Sequence, residues 1–306
     1  MSVAIISHPQ CMEHDMGQQH PEQPARLSVI NDQIISSGLS FVCPQYHSEK
    51  VTLEQLHCAH LHSYVNDIYK NAPTHGVLNI DADTQMMPAT LSAAQYAAGA
   101  GVMAVDLLMQ KKHRAAFCPV RPPGHHAEKD KAMGFCFFNN VAIAAKYAIK
   151  HYGLERVAII DFDVHHGNGT QSIVQGDKQI RLFSSFQHPF YPYSGDGPSA
   201  DNVHNLPLAA DISSEQYRQA VSQWFPLIDD FSPELILISA GFDGHIADSM
   251  SSHALIDADY HWITQQLVAL ADQHCGGKII SMLEGGYAIN ALGRTVVAHL
   301  RALLKS

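Results

Sequence analysis

Short apolar runs recur along the 306-residue chain, at 3–7, 115–118, 157–161, 180–183, 235–240 and 278–283, with helix-patterned stretches between them. Runs this short and this uniformly apolar fit strands buried on both faces. Their alternation with helices predicts an α/β fold with a mostly parallel central sheet flanked by helices on both faces. Helices are expected at 26–37, stopped by Gly38; at 91–110, rich in alanine; at 140–152, stopped by Gly153; and at 259–274 and 289–304. Ser213 and Gln216 match a capping box opening a helix towards Phe231, which Pro226 should kink because it removes a hydrogen bond. Residues 186–211 carry Pro, Gly, Ser and aromatics without a period and read as one long loop. No repeat or linker divides the chain, so residues 1–306 read as a single domain.

Composition narrows the partners. Lys and Arg number 19 against 29 Asp and Glu, a formal charge of -10, which disfavours nucleic acid as a ligand. The six cysteines form no C-x-x-C pair, as expected of reduced thiols in a cytoplasmic protein. No apolar segment is expected to reach the roughly 20 residues of a membrane span, so no membrane partner is expected. With 21 histidines in the chain, a lone histidine carries little information.

The chemistry lies where four of the strands end. The run at 115–118 leads into R-P-P-G-H-H (121–126), and the run at 157–161 into D-F-D-V-H-H-G-N-G (161–169). The other two lead into S-A-G-F-D (239–243) and L-E-G-G-Y (283–287). In a parallel sheet these ends open on one edge, where ligands bind in open α/β folds. Residues two apart on an extended segment share a face, so Asp161, Asp163 and His165 project together. Asp163, His165 and Asp243 supply two oxygens and one nitrogen and leave positions open, the pattern of catalytic zinc. Fe2+ or Co2+ would accept the same donors. His125 and His126 follow a rigid Pro-Pro-Gly turn, and either can serve as general base to a water at the metal.

The motifs R-P-P-G-H-H-A, G-F-C-F-F-N-N, D-F-D-V-H-H-G-N-G-T-Q, S-A-G-F-D and E-G-G-Y, with the early H-P-E-Q-P-A-R-L, span nearly the whole chain. Together they resemble the arginase-deacetylase superfamily, and within it the class II-like histone deacetylases and acetylpolyamine amidohydrolases. The resemblance implies a single deacetylase-like catalytic domain that hydrolyses acyl amides. It implies that Asp163, His165 and Asp243 bind Zn2+, that His126 is general base and then acid, and that Tyr287 donates to the scissile carbonyl. His125, paired to Asp161, would be the electrostatic neighbour of His126. Gly134, Phe135, Phe190 and Tyr191 match the walls of a channel that sheathes an acyl-lysine-like chain. Asp161, Asp163, His165, Ser184 and Ser185 match a structural K+ site, and Arg26 matches a residue of an internal cavity behind the metal. Asn168 stands where class I members have aspartate; a neutral amide raises the pKa of its partner less than a carboxylate, so His126 should be neutral and His125 protonated.

Two departures bear on substrate. Phe186 replaces a histidine common in relatives, which affects the loop after its strand. Met250 stands seven positions after Asp243, where polyamine-selective relatives carry a glutamate that reads a distal ammonium. Methionine cannot form that ion pair, so the expected substrate is an acylated lysine or similar acylated amine, with an acetylpolyamine as the alternative. Asp81 or Asp83, on the loop before the alanine-rich helix, matches a carboxylate at the channel rim.

Overall fold

A computed structural model describes residues 2–17 and 19–305 of the chain. In chain order the strands are β1 (Val3–Ser7), β2 (Gln45–His47), β3 (Leu78–Asn79), β4 (Gln85–Met86), β5 (Ala115–Cys118), β6 (Val157–Asp161), β7 (Ile180–Gln187), β8 (Val203–Leu208), β9 (Leu235–Ala240) and β10 (Ile279–Leu283). The helices are α1 (Ala25–Ser36), α2 (Leu53–Leu56), α3 (His62–Asn71), α4 (Thr90–Met109), α5 (Asn140–Tyr152), α6 (Asn168–Val174), α7 (Ser214–Val221), α8 (Trp224–Phe231), α9 (Asp257–Cys275) and α10 (Ile289–Leu304).

Eight strands form one sheet in the order β2-β1-β5-β10-β9-β6-β7-β8, and every pairing is parallel. β3 and β4 make a separate antiparallel pair. The four strands whose ends carry the polar motifs, β5, β10, β9 and β6, are neighbours at the centre. They are buried at every residue, as apolar strands covered on both faces must be. One helix layer is α4 with α5; the other is α1, α10 and α9 side by side.

Local signals account for several helix ends. Gly153 and Gly38 adopt left-handed backbone with φ of 69° and 77°, and Gly153 ends α5 where expected. The Ser213–Gln216 capping box is formed. The expected kinked helix is instead two helices, α7 and α8, separated at Ser222 and Gln223. Pro226 cannot donate to the carbonyl four residues back, that of Ser222, so the chain breaks there. Pro226 then falls in the first turn of α8, where no intrahelical donor is needed.

The segment at 186–211 is not one long loop. β7 runs on to Gln187, and β8 pairs with it from Val203 to Leu208. β8 lies at the sheet edge and is half-exposed, so it needs no apolar run and tolerates Pro207. β2, on the opposite edge, escapes sequence reading for the same reason. The expectation about apolar segments also needs correction. α4 is 20 residues long and apolar enough to cross a membrane, but 67% of its most apolar window is buried within the fold, as in a core helix.

Candidate active site

The carboxyl ends of β5, β6, β9 and β10 bring their four motifs to one place. Asp163, His165 and Asp243 are buried, and one ligand atom from each lies within 4.8 Å of the others. Asp163 Oδ1 accepts the backbone N–H of His165 at 2.9 Å, and Asp243 Oδ1 accepts that of Val164 at 3.0 Å. Asp243 Oδ2 is buried with no well-formed hydrogen bond, since His165 Nδ1, 3.2 Å away, already bonds Asp163 Oδ1. A buried carboxylate oxygen left without a donor is costly unless a cation satisfies it, so this donor set fits a metal ion.

Charge in this cluster is unevenly shared. Burial disfavours the charged form of His165, but the bond to Asp163 and the adjacent Asp243 carboxylate outweigh it and push the ring up to about 10. Burial and Asp163 together raise Asp243 to about 6, against the pull of His165. Asp163 is held well below the usual carboxylate range because His125 and His165 overcome its own burial.

His125 and His126 sit side by side, ring centroids 4.0 Å apart. His125 Nδ1 donates to Asp161 Oδ2 at 3.0 Å, and His126 Nδ1 to Asn168 Oδ1 at 2.7 Å. Burial opposes a charge on His125, yet Asp163 and Asp161 raise it well above the ordinary value. His126 is held well below, by burial first and then by the cationic rings of His125 and His165. The directions agree with the sequence reading, but the cause differs, since the bond to Asn168 by itself pushes His126 upward.

A cavity of about 210 Å³ opens above these groups. It is lined by His125, His126 and His165 at its base, Phe135, Phe190 and Tyr191 on its walls, and Gly134, Met250, Asp83 and Tyr287. Phe190 stacks on His165 with centroids 5.4 Å apart, and Tyr191 meets His126 edge-on at 5.4 Å. At Gly134, where φ is 56°, a Cβ would lie 2.4 Å from the His126 ring, so only glycine allows this approach. A larger hollow of about 440 Å³ lies between α1 and the ends of β1 and β2, away from the metal-binding set.

Asp83 and Asp81 now separate. Asp83 lines the cavity, whereas Asp81 Oδ1 accepts the N–H groups of Asp83 and Thr84 and serves the β3–β4 turn. Phe186 is buried against His166, centroids 4.6 Å apart, so it packs the strand end and does not reach the cavity. Ser184 pairs in register with Asp161, and Ser185 is buried beside it.

Arg26 lies behind Tyr287, its guanidinium 4.8 Å from the ring centroid. It donates to the carbonyls of Gly286 at 2.7 Å and Glu284 at 2.5 Å, clamping the turn that carries the tyrosine. The other side of that turn is held by Asp248, whose Oδ2 accepts the N–H groups of Tyr287 at 2.6 Å and Ala288 at 2.9 Å. The same carboxylate accepts the N–H of Met250 at 3.0 Å. Glu284 accepts the N–H groups of Gly124 at 2.7 Å and His125 at 3.1 Å, so β10 also supports the histidine turn. Asp248 and Glu284 were given no role by the sequence reading. Glu284 stood in plain view in E-G-G-Y, but nothing in spacing reveals a bond to the backbone of the turn after β5.

Comparison with known proteins agrees with this arrangement. A family profile described as the histone deacetylase domain matches residues 20–303. The chain belongs to the histone deacetylase family. A protein named "Probable deacetylase" from Archaeoglobus fulgidus is 33% identical over 94% of this chain and 82% of its own length. An uncharacterised protein of Synechocystis, slr0245, is 37% identical over 99% of both chains. Among solved structures, the HDA15 HD domain superposes with a TM-score of 0.93 at 30% identity, covering 100% of this chain and 90% of that one. The chain is thus a hydrolytic deacetylase with the family's parallel-sheet fold, and its buried Asp-His-Asp group fits the family's general dependence on metal.

Proposed function

We propose that this deacetylase removes acetyl or related acyl groups from Nε-acyl-lysine or similar acylated amines, with Asp163, His165 and Asp243 holding a single Zn2+. The observation that carries the reading is the convergence of these three residues with two histidines and Tyr287 at the base of an aromatic-walled cavity. A divalent ion there supplies Lewis acidity to the acyl carbonyl and makes a water easier to deprotonate.

The protein's own groups supply the remainder. His126, neutral, accepts the proton of the attacking water at Nε2 and delivers it to the leaving amine. Burial keeps the Tyr287 phenol protonated well past the ordinary range, so it donates a hydrogen bond to the carbonyl oxygen as negative charge develops. His125, braced by Asp161, remains cationic beside His126 and favours its neutral form. Phe135, Phe190 and Tyr191 offer apolar walls suited to the methylenes of an acyl-lysine, and Asp83 offers an acceptor for substrate N–H groups. A structural K+ is assigned to Asp161, Asp163, His165, Ser184 and Ser185; Ser184 Oγ is buried without a partner, as an ion ligand would be.

Met250 in the cavity wall cannot itself pair with a distal ammonium, which favours lysine over polyamine. With zinc-loaded protein, kcat/KM is expected to be higher for an acetyl-lysine peptide than for N-acetylputrescine. A much larger value for the polyamine would overturn the substrate assignment.

A further inference from the structure

The amide facing His126 is itself held by a carboxylate. Asn168 Nδ2 donates to Glu128 Oε1 at 2.7 Å, with Met133 Sδ 3.3 Å away as a weaker acceptor. Asn168 Oδ1 then lies 2.7 Å from His126 Nδ1. A carboxamide has one donating and one accepting end, whereas a carboxylate only accepts. Glu128 thus takes the NH2 end and leaves the oxygen towards His126, whose Nδ1 must carry the hydrogen. Nε2 is left with a lone pair, the state a general base requires. Were the amide turned over, its NH2 would face Nδ1 and favour the ring with hydrogen on Nε2, which cannot accept a proton.

We propose that Glu128 is a positioning residue that fixes the tautomer of His126 through Asn168, an inference that rests on the reading of His126 as the base. Glu128 is itself tied down by its backbone. Its N–H donates to the Lys131 carbonyl at 2.8 Å, and its carbonyl accepts from His60 Nδ1 at 2.9 Å. His60 Nε2 in turn accepts the N–H of Asn139, the residue that caps α5, at 2.9 Å. The ring of His60 is neutral, as this donor-acceptor pattern demands, because burial pulls it down to about 4. Hydrogen bonds thus anchor the Glu128 backbone to the start of α5, and its carboxylate reaches the His126 ring through Asn168.

Two variants separate orientation from charge and packing. Glu128→Gln retains the length and an accepting oxygen, whereas Glu128→Met retains the length and loses the strong acceptor. In zinc-loaded enzyme, Glu128→Gln is expected to hold kcat within about twofold, and Glu128→Met to lower it about tenfold or more with KM little changed. In 15N-histidine-labelled protein, with His126 assigned by its own replacement, the Nε2 signal should shift towards the protonated form in Glu128→Met alone. The proposal is overturned if Glu128→Met keeps wild-type kcat and ring signals, or if Glu128→Gln loses as much as Glu128→Met. Failure of the wild type to turn over any acyl amine would defeat the functional reading instead, and the ring signals would still decide the tautomer. If Glu128→Met does not fold, Glu128→Ala, which also removes the acceptor, takes its place with the same loss of kcat and shift of the Nε2 signal expected, and wild-type values in it overturn the proposal.

Discussion

His165 Nδ1 lies 3.0 Å from Asp163 Oδ1 and 3.2 Å from Asp243 Oδ2. Before metal binds, a proton occupies part of the role the ion will take. Burial would expel it, but the two carboxylates hold the ring up to about 10, so His165 is charged at neutral pH. An incoming ion must displace that proton, because a metal ligand has to be deprotonated. Zinc uptake between pH 7 and 9 should therefore release about one proton, and apparent affinity should rise about tenfold per pH unit until the ring loses its proton unaided. Asp243, at about 6, adds a second proton only below that pH. Calorimetric titration with zinc in buffers of different ionisation enthalpy measures this release directly. A pH-independent affinity would contradict the placement of His165 between two carboxylates.

At the scale of elements, the site exists because neighbouring strand ends carry glycine where carboxylates need room. A Cβ on Gly241, just past β9, would lie 2.0 Å from Asp163 Oδ2, and one on Gly285, just past β10, would lie 1.9 Å from Asp243 Oδ2. Gly285 also donates its N–H to Asp163 Oδ2 at 2.8 Å. Gly285→Ala must therefore push the Asp243 side chain aside, while the strands behind it remain as packed as before. The expected outcome is a folded protein whose metal affinity falls on the order of tenfold or more, the size of effect seen when ligand supports are lost. Metal content after dialysis, compared with the melting temperature of the apoprotein, checks it; equal metal content in both proteins would show that the carboxylates have slack. The elements that build this site were the legible ones. β5, β6 and β9 are buried throughout and apolar but for Asp161 and Ser239, because both faces are covered, so their limits could be read residue by residue. β2 and β8 were not legible: at the edges, one side meets solvent, and side chains such as Gln45, His47 and Asn205 carry no strand pattern. The buried Asp-His-Asp group and the paired histidines could be picked out in the sequence because each motif follows directly on a strand. Glu128, Asp248 and Glu284 could not, because their work is done through backbone or amide groups distant in the chain.

Across the whole molecule, one buried network ties the amino-terminal segment to the catalytic edge of the sheet. Glu22 accepts from both Arg26 and Arg121, and Arg121 also donates to the Cys11 carbonyl at 3.1 Å. Glu22, Arg26 and Arg121 are all 0% exposed. Arg121 opens the turn that carries the paired histidines, and Arg26 clamps the turn that carries Tyr287, so a single carboxylate is the shared counter-charge of both supports. Burial alone would raise Glu22, but Arg121, with His14 and Arg26, outweighs it and lowers the group to about 2 from an ordinary 4.5. Because the folded value is depressed, this contribution is present above about pH 4.5 and drains away as pH falls towards 2. Replacing Glu22 by Gln leaves two buried guanidinium groups without their counter-charge, which should cost about 3–5 kcal/mol at pH 7. Urea unfolding of the wild type and Glu22→Gln at pH 7 and again near pH 3 measures both parts. The gap between the two proteins should be widest at pH 7 and narrow in acid, where the wild-type carboxylate begins to take up its proton. A Glu22→Gln protein as stable as the wild type at pH 7 would mean that water, not Glu22, compensates the two arginines.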